Sequence, residues 1–269
     1  MDGDKKISVI MGIYNCANTL EEAVKSIQDQ TYANWELIMC DDGSTDNTYD
    51  VASQLKSEDK RIILLKNDRN RCNNNTLNHC LKKATGHYIA RMDGDDICVP
   101  ERFEKQVKRL EKGEYAIVST AMFFYDETGT WGRNHVLETP GTEQIVLNSE
   151  ICHAPVMLKK ECMDLVRGYT VDHRMLRVED VNLWIKLYAK GFRCYNIQEP
   201  LYGMRNDRNA SNRRKYIYRM NEVYVRWLGC KEFHLGLVDY IKCMKPLIAG
   251  LIPSRARMLI RRKQQVKNL

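Results

Sequence analysis

Several signatures are missing from this chain, and each absence closes a class of function. The ten cysteines (residues 16, 40, 72, 80, 98, 152, 162, 194, 230 and 243) contain no Cys-x-x-Cys pair. Zinc ligation and thioredoxin-like redox chemistry therefore lack their usual spacing. No apolar run approaches the roughly 20 residues that a membrane-spanning helix needs. No leader is visible either, because Met1-Asp2-Gly3-Asp4-Lys5-Lys6 runs straight into the first apolar segment. Scattered thiols without a leader predict reduced, buried cysteines in a cytoplasmic protein. There is no internal repeat and no low-complexity linker.

What is present suffices for a sizeable core. At 43% hydrophobic over 269 residues, the chain can form one large α/β domain or one domain with an appendage. The charge is uneven. From Arg205 onward there are 16 Lys/Arg against 4 Asp/Glu, a balance of +12, which leaves −5 for residues 1–204. An acidic front and a basic rear predict two surfaces with different partners, unless the rear cations merely solvate a helical tail.

Along the chain, short apolar runs alternate with helical periodicity. Ile7–Met11 reads as a strand, and Asn18 with Glu21 as a capping-box start for a helix that buries Leu20, Ala23, Val24 and Ile27. Trp35–Cys40 is a second strand and Arg61–Leu65 a third. A helix starting near Asp46 lies between them, and a third helix spans Thr76–Lys83. Tyr88–Met92 is the fourth strand. Further on, Glu101–Lys112 reads as helix, Ala116–Tyr125 as strand, and Asp126–Gly129 as a turn. Thr142–Asn148 follows as helix, Pro155–Leu158 as strand, the segment from Glu179 to Gly191 as helix, and Cys194–Ile197 as strand. Only helical segments follow Arg213. This alternation predicts a parallel sheet with right-handed crossovers, whose ligands collect beyond the strands' carboxyl ends. The polar residues there are Tyr14-Asn15, Asp41-Asp42 and Asp93–Asp96, so all three sets fall on one rim.

The sharpest of these sets is Arg91-Met92-Asp93-Gly94-Asp95-Asp96. An apolar strand stops abruptly in three carboxylates around one glycine. Alternate side chains of a strand share a face, which would point Asp93 and Asp95 the same way, and Gly94 permits a tight turn. Two converging carboxylates make a hard oxygen site suited to Mg²⁺ or Mn²⁺ bridged to a diphosphate. An ordinary Asp-Gly-Asp turn is the plainer alternative.

Ile7-Ser8-Val9-Ile10-Met11-Gly12-Ile13-Tyr14-Asn15, Cys40-Asp41-Asp42-Gly43-Ser44-Thr45-Asp46, Arg91–Asp96 and Glu179-Asp180-Val181-Asn182-Leu183-Trp184, in this order, resemble the family 2 glycosyltransferases over about residues 5–205. The resemblance implies a GT-A fold of the α/β class, with a Rossmann-like nucleotide-binding half, a mixed central sheet and, here, a C-terminal helical tail. Residues 1–205 would form the transferase domain, with residues 5–100 binding the nucleotide-sugar and 101–205 the acceptor. Residues 206–269 would form the basic helical region. The implied reaction is metal-dependent transfer from a nucleotide-sugar, with inversion at the anomeric carbon.

The resemblance also implies roles. Gly12 and Tyr14 would lie against the donor's base, although Tyr14 could simply cap the core edge. Asp42 would accept the N3–H of uracil, although Asp41–Ser44 also reads as a turn with a helix cap. Arg71 falls where a basic residue stands near the donor, but Cys72-Asn73-Asn74-Asn75 replaces the usual glycine-containing segment beside it. Asp95 would bind the metal, and Asp93 the ribose or a metal-bound water. Asp180 would be the general base, in a helical first turn that keeps it ionised and correspondingly weak. Glu179 and His153 would face the acceptor, with Ala154 interrupting the His-Pro-like pattern. Trp184 is read as core.

Processive members carry Gln-x-x-Arg-Trp and spanning helices. Here Val223 precedes Arg226-Trp227, which favours single-sugar transfer. In the tail, apolar residues from Pro246 to Pro253 precede Arg255, Arg257, Arg261, Arg262 and Lys263. That pattern suits an anionic bilayer surface, and the resemblance implies a glycan or lipid-linked acceptor, which together would place the chain at the inner face of the plasma membrane. A tail without interleaved aromatics, beside an acidic rim, argues against nucleic acid. A catalytically silent nucleotide-sugar-binding subunit is the rival reading, disfavoured by an intact Asp93, Asp95 and Asp180. A nucleotidyltransferase would need a Gly-rich basic loop, where this chain has Met11-Gly12-Ile13-Tyr14.

Overall fold

The computed structural model describes residues 5–205 and 216–247. In chain order these form β1 (Ile7–Ile13), α1 (Leu20–Gln28), β2 (Trp35–Asp41), α2 (Thr48–Glu58), β3 (Ile62–Lys66), α3 (Asn73–Leu81), β4 (Tyr88–Arg91) and β5 (Ile97–Cys98). Then come α4 (Arg102–Glu111), β6 (Ile117–Asp126), β7 (Gly129–Arg133), α5 (Thr142–Leu147), β8 (Met157–Lys159) and α6 (Lys160–Leu165). A 3-10 turn (His173–Met175), α7 (Glu179–Ala189), β9 (Cys194–Arg205), α8 (Tyr216–Glu232) and α9 (Leu237–Lys242) complete it.

All nine strands join one sheet in the order β3-β2-β1-β4-β8-β6-β9-β5, with β7 beside β6. The first four strands are parallel, as their alternation with helices predicts. β8, β5 and β7 run against their neighbours, so the sheet is mixed. β1 and β2 are buried almost throughout because helices cover both faces of the sheet, which is why they read as continuous apolar runs. Alternation sorts their side chains. Ile10, Ile38 and Cys40 pack with α3, α5, α6 and α7 on one face. Val9, Met11, Leu37 and Met39 pack with α1, α2 and α4 on the other. Trp184 lies fully buried in the first of these layers, as expected. All ten cysteines are free thiols, seven of them buried.

Register fixes the height of the strand ends. Ile13 stands opposite Asp41, and Arg91 opposite Ile10, so the residues after each strand emerge on one rim. α7 closes at Gly191, whose positive φ of 85° lets its N–H reach Tyr188 O while Phe192 N–H reaches Leu187 O. This is the Schellman arrangement that glycine supports.

Four local expectations change. Thr19, not Asn18, precedes α1, and its hydroxyl donates to the Gly94 carbonyl at 2.9 Å, so no Asn18–Glu21 capping box forms. β9 continues through Pro200 to Arg205, because Pro200 falls opposite Ala121 where the β6 register slips. A bulge accommodates a residue that cannot donate to a ladder. Residues 129–133 form β7, the return strand of a hairpin around the expected turn. α3 begins three residues early, at Asn73, after Cys72 at φ 69° and ψ 156°. The basic tail beyond Leu247 lies outside the described residues.

Cys72 therefore occupies a backbone region that glycine alone enters without strain, at a cost of about 1–3 kcal/mol. Cys72→Gly should raise the melting temperature by about 2–4 °C, with part of the strain relief offset by glycine's greater unfolded-state entropy. Cys72→Ala keeps the Cβ and should give no gain. Calorimetry showing equal effects for the two substitutions would rule out strain as the cause.

Candidate active site

The last rung of β4 is Met92 N–H to Ile10 O at 3.2 Å, after which residues 93–96 turn into β5. Gly94 is packed so closely that a Cβ there would stand 2.9 Å from Cys16 Sγ and 3.1 Å from Ile13 Cγ2. The turn is thus pressed onto the end of β1 and needs glycine for that approach.

The three carboxylates separate in role. Asp96 is buried and points inward, accepting from the Tyr202 hydroxyl at 2.9 Å and from Arg205 N–H at 2.8 Å. Asp93 is gripped by Arg91 through two bonds, Nη1 at 2.9 Å and Nη2 at 2.6 Å. Burial opposes the Arg91 charge, but Asp93 more than restores it and holds the guanidinium protonated. Asp95 stands exposed to the cavity. Loss of hydration and the neighbouring Asp93 push it up to about 6, and no side-chain donor among the described residues reaches its carboxylate.

Arg91, Asp93, Gly94 and Asp95 line a cavity of about 750 Å³ at the ends of β1, β2 and β4. Gly12, Tyr14, Asp42, Asp93, Asp95 and Glu179 all border it. Tyr14 leaves 47% of its surface exposed there. Gly12 backs onto Asn73 and Thr76 of α3. Asp42 is buried and uses Oδ1 to accept from Asn67 Nδ2 and from Arg71 N–H, both at 2.8 Å. Its neighbour Asp41 turns away to accept from Ser44 N–H. Glu179, at the start of α7, accepts from Asn73 Nδ2 at 3.3 Å, which joins the two halves of the chain across the cavity.

Three expected residues do not border the cavity. The Arg71 side chain pairs with Asp68 at 2.7 Å and faces a neighbouring groove, so this residue reaches the site through its backbone N–H. Three residues apart, Asp68 captures the guanidinium first. His153 packs edge-on against Tyr169 and Trp184, with Nε2 2.8 Å from the Tyr169 hydroxyl. Burial and the Arg91 charge hold its imidazole well below the usual range, hence neutral. Asp180 sits half-buried one residue behind Glu179, with Oδ1 accepting from Val181 N–H at 2.8 Å. Burial, then the Glu179 charge, push it up to about 6. Those two effects outweigh the helix-terminal stabilisation expected from its position.

Sequence reasoning missed Arg91, Arg177, Arg205, Asn73 and Tyr218, all of which border the cavity. Arg91 did carry a signal, since a guanidinium inside an otherwise buried strand needs a partner. Arg205, at the far end of β9, became visible only once that strand passed its proline. The lining holds five carboxylates against three guanidiniums. Such a surface repels a diphosphate unless a cation intervenes, and the exposed, unengaged Asp95 beside Asp93 offers hard oxygens suited to Mg²⁺ or Mn²⁺. Among the described residues no third His, Cys, Asp or Glu joins them. The donor set therefore fits an ion that also takes oxygens from its ligand.

Similarities to known proteins bear on the family and the fold. The chain is 42% identical over 256 residues to EpsE, a glycosyltransferase homologue in Bacillus subtilis strain 168, covering 94% of this chain and 92% of EpsE. It is 28% identical over 234 residues to WfaP of Escherichia coli, covering 85% and 88%. WfaP is named as a UDP-Glc:alpha-D-GlcNAc-diphosphoundecaprenol beta-1,3-glucosyltransferase. The fold is similar to that of Staphylococcus aureus TarS 1-349, solved with UDP-GlcNAc, at a TM-score of 0.68, 16% identity, and coverage of 90% of this chain and 70% of that one. It is also similar to the mannosyltransferase PcManGT of Pyrobaculum calidifontis, solved with GDP-Man and Mn²⁺, at a TM-score of 0.63, 17% identity, and coverage of 95% and 79%. Residues 8–163 match glycosyl transferase family 2, and the chain is a GT-A glycosyltransferase belonging to that family.

Proposed function

We propose that this enzyme moves a single sugar, with inversion, from a UDP-sugar to a glycan or lipid-linked acceptor in cell-surface polysaccharide synthesis. The observation that carries the reading is the meeting of Tyr14, Asp42, Asp93, Asp95 and Glu179 on one cavity, with Asp180 directly behind. In this reading Tyr14 stacks on the base and Asp42 accepts its N3–H. WfaP, named for UDP-Glc and a diphosphoundecaprenol-linked acceptor, supports both the donor and the acceptor class.

Asp95, with Asp93 beside it, would hold Mg²⁺ or Mn²⁺, which when bound neutralises charge on the departing diphosphate. Asp93 is already committed to Arg91, so we assign it to the ribose or to a water on the ion. In the transfer the acceptor oxygen bonds to the anomeric carbon as the bond from that carbon to the diphosphate oxygen breaks. The acceptor's proton passes to Asp180, whose elevated affinity for protons makes it a better base than an ordinary exposed aspartate. Glu179 orients the acceptor and keeps Asp180 in that state. His153, neutral and tied to Tyr169, would shape the acceptor wall.

We also assign the acceptor end to a membrane surface. Leu237, Val238 and Ile241 on α9 are 84%, 64% and 72% exposed. The sequence beyond α9 is apolar and then carries six cations and no acid after Pro253. No described helix is long and apolar enough to cross a membrane, so attachment would be peripheral.

Three outcomes are expected. UDP should bind weakly in chelator and at least about tenfold more tightly with Mn²⁺, and Asp95→Asn should erase that gain. Calorimetry giving equal affinity with and without the ion would remove the metal from the mechanism.

Asp180→Asn should leave UDP binding intact while transfer falls by about 10²-fold or more. In the native enzyme, kcat/KM should decline as pH falls through about 6, where Asp180 and, without a bound ion, Asp95 take up protons. Asp180 costs stability from its unfolded value of 3.8 upward and in full above about 6, because the folded state disfavours its ionised form while the unfolded state does not. Asp180→Asn should therefore gain about 1–2 kcal/mol of stability at pH 7.5 and progressively less below pH 6. Unchanged turnover on the true acceptor would exclude Asp180 as base.

The full-length protein should pellet with anionic liposomes at low salt and release at high salt, because attraction is screened over about 8 Å at physiological ionic strength. Indifference to anionic liposomes at low salt would defeat the membrane assignment.

A further inference from the structure

Asp42 is held in place from outside the cavity it faces. Asn67, the first residue after β3, is a buried polar side chain. Its backbone N–H donates to Asp41 O at 2.8 Å. Its Nδ2 donates to Asp42 Oδ1 at 2.8 Å and to Thr76 Oγ1 at 3.0 Å. With the amide NH₂ turned to Asp42 and Thr76, the amide oxygen faces His79 Nδ1 at 3.0 Å. That oxygen accepts too, which requires the His79 proton on Nδ1. Donation thus runs one way, from His79 to Asn67 to Asp42. Neither Asn67 nor His79 borders the donor cavity. Both border a separate groove of about 940 Å³ on the other face of α3.

We propose that Asn67, backed by His79, is a positioning residue that determines nucleotide specificity. It locks the Asp42 carboxylate as an acceptor for the N3–H of a uracil ring and so selects uridine over cytidine diphosphate. The inference rests on the reading of Asp42 as the base-recognition residue.

The chemistry follows from the occupied oxygen. Two donors, Asn67 Nδ2 and Arg71 N–H, converge on Oδ1 alone. They prevent the carboxylate from rotating and supply no donor to Oδ2. Uracil presents a hydrogen at N3, whereas cytosine presents a lone pair there. A fixed carboxylate therefore gains a bond with the first and faces an unpaired acceptor with the second. A carboxylate free to rotate, or to let water intervene, would lose much of that discrimination.

The experiment is calorimetric titration of the full chain with UDP and with CDP, each with Mn²⁺, because the ratio of the two affinities cancels what the shared diphosphate and ion contribute. The native protein should prefer UDP. Asn67→Ala should lower the UDP/CDP ratio by about tenfold and raise the donor KM while kcat is largely kept. Asp42→Asn tests the underlying reading. If it abolishes the preference while Asn67→Ala retains the native ratio, the positioning role is overturned and the reading of Asp42 stands. If Asp42→Asn itself retains the preference, the reading of Asp42 fails, and the inference with it. Should Asn67→Ala not fold, Asn67→Leu keeps the volume and removes the same donor from Asp42; it should lower the UDP/CDP ratio to a similar extent, and a native ratio in this variant overturns the proposal.

Discussion

Three carboxylates within residues 93–96 repel one another, and the fold holds them together by burying two arginines beneath them. Arg91 grips Asp93 from the end of β4. Arg102, fully buried, donates to the Arg91 carbonyl at 2.8 Å and lies over the Tyr202 ring. Tyr202 in turn donates to Asp96 and accepts from Asp93 N–H. Burying such charges brings little net stability, since desolvation cancels most of the attraction, but removing one partner costs about 3–5 kcal/mol. What the arrangement secures is position. With Asp93 held by Arg91 and Asp96 turned inward, Asp95 is the one carboxylate of the three that borders the cavity without a side-chain donor among the described residues.

The sheet carries the same logic to longer range. Parallel register brings the ends of β1, β2 and β4 to one height, and β9 returns from the second half to deliver Tyr202 and Arg205 to the acid turn. The halves are then stitched along α3. Asn73 reaches Glu179, Asn74 reaches the Thr170 carbonyl, and Asn78 exchanges two bonds with the Tyr169 backbone. Each asparagine satisfies backbone or carboxylate groups of the segment leading into α7 that would otherwise lie unpaired. Two asparagines of the run that looked anomalous in the sequence, with Asn78 one turn on, thus form the seam that ties Glu179 and the segment before it to α3. Cys72 sits at the head of that seam in a strained conformation, because α3 must start early enough to bring Asn73 to Glu179.

Much of this was legible from local pattern. The β1–β4 alternation, the acid turn and the Glu179-Asp180 helix start each depend on residues close in sequence. So do their shared rim and the buried stripe around Trp184. What escaped was fixed by distant partners. The early start of α3 answers to residues 169–179, about a hundred positions away. The length of β9 depends on a bulge in β6 that absorbs Pro200. Arg71 points away because Asp68 competes for it, and His153 is occupied by Tyr169. Arg205 and Tyr218 carry no motif and border the cavity only because the sheet and α8 bring them there. Periodicity and spacing report local geometry, and these features are decided by packing.

Asp180 shows how opposing local and global terms resolve. Its place in the first turn of α7 should favour the anion by a few tenths to about 1 kcal/mol. Burial and the adjacent Glu179 act the other way and prevail. Read from the helix alone, this residue is a comfortable, weakly basic carboxylate. Set against the wall that holds Arg91, Tyr169 and Cys152, it becomes a half-buried carboxylate that loses hydration beside a second acid and has only backbone donors to offset the loss. The fold accepts that instability at one position because the seam along α3 and the buried arginines fix everything around it. A carboxylate held rigidly where it is poorly hydrated is what proton abstraction from a hydroxyl requires. The proposed role of Asp180 as base draws on that environment, and the α3 seam fixes the Glu179 beside it.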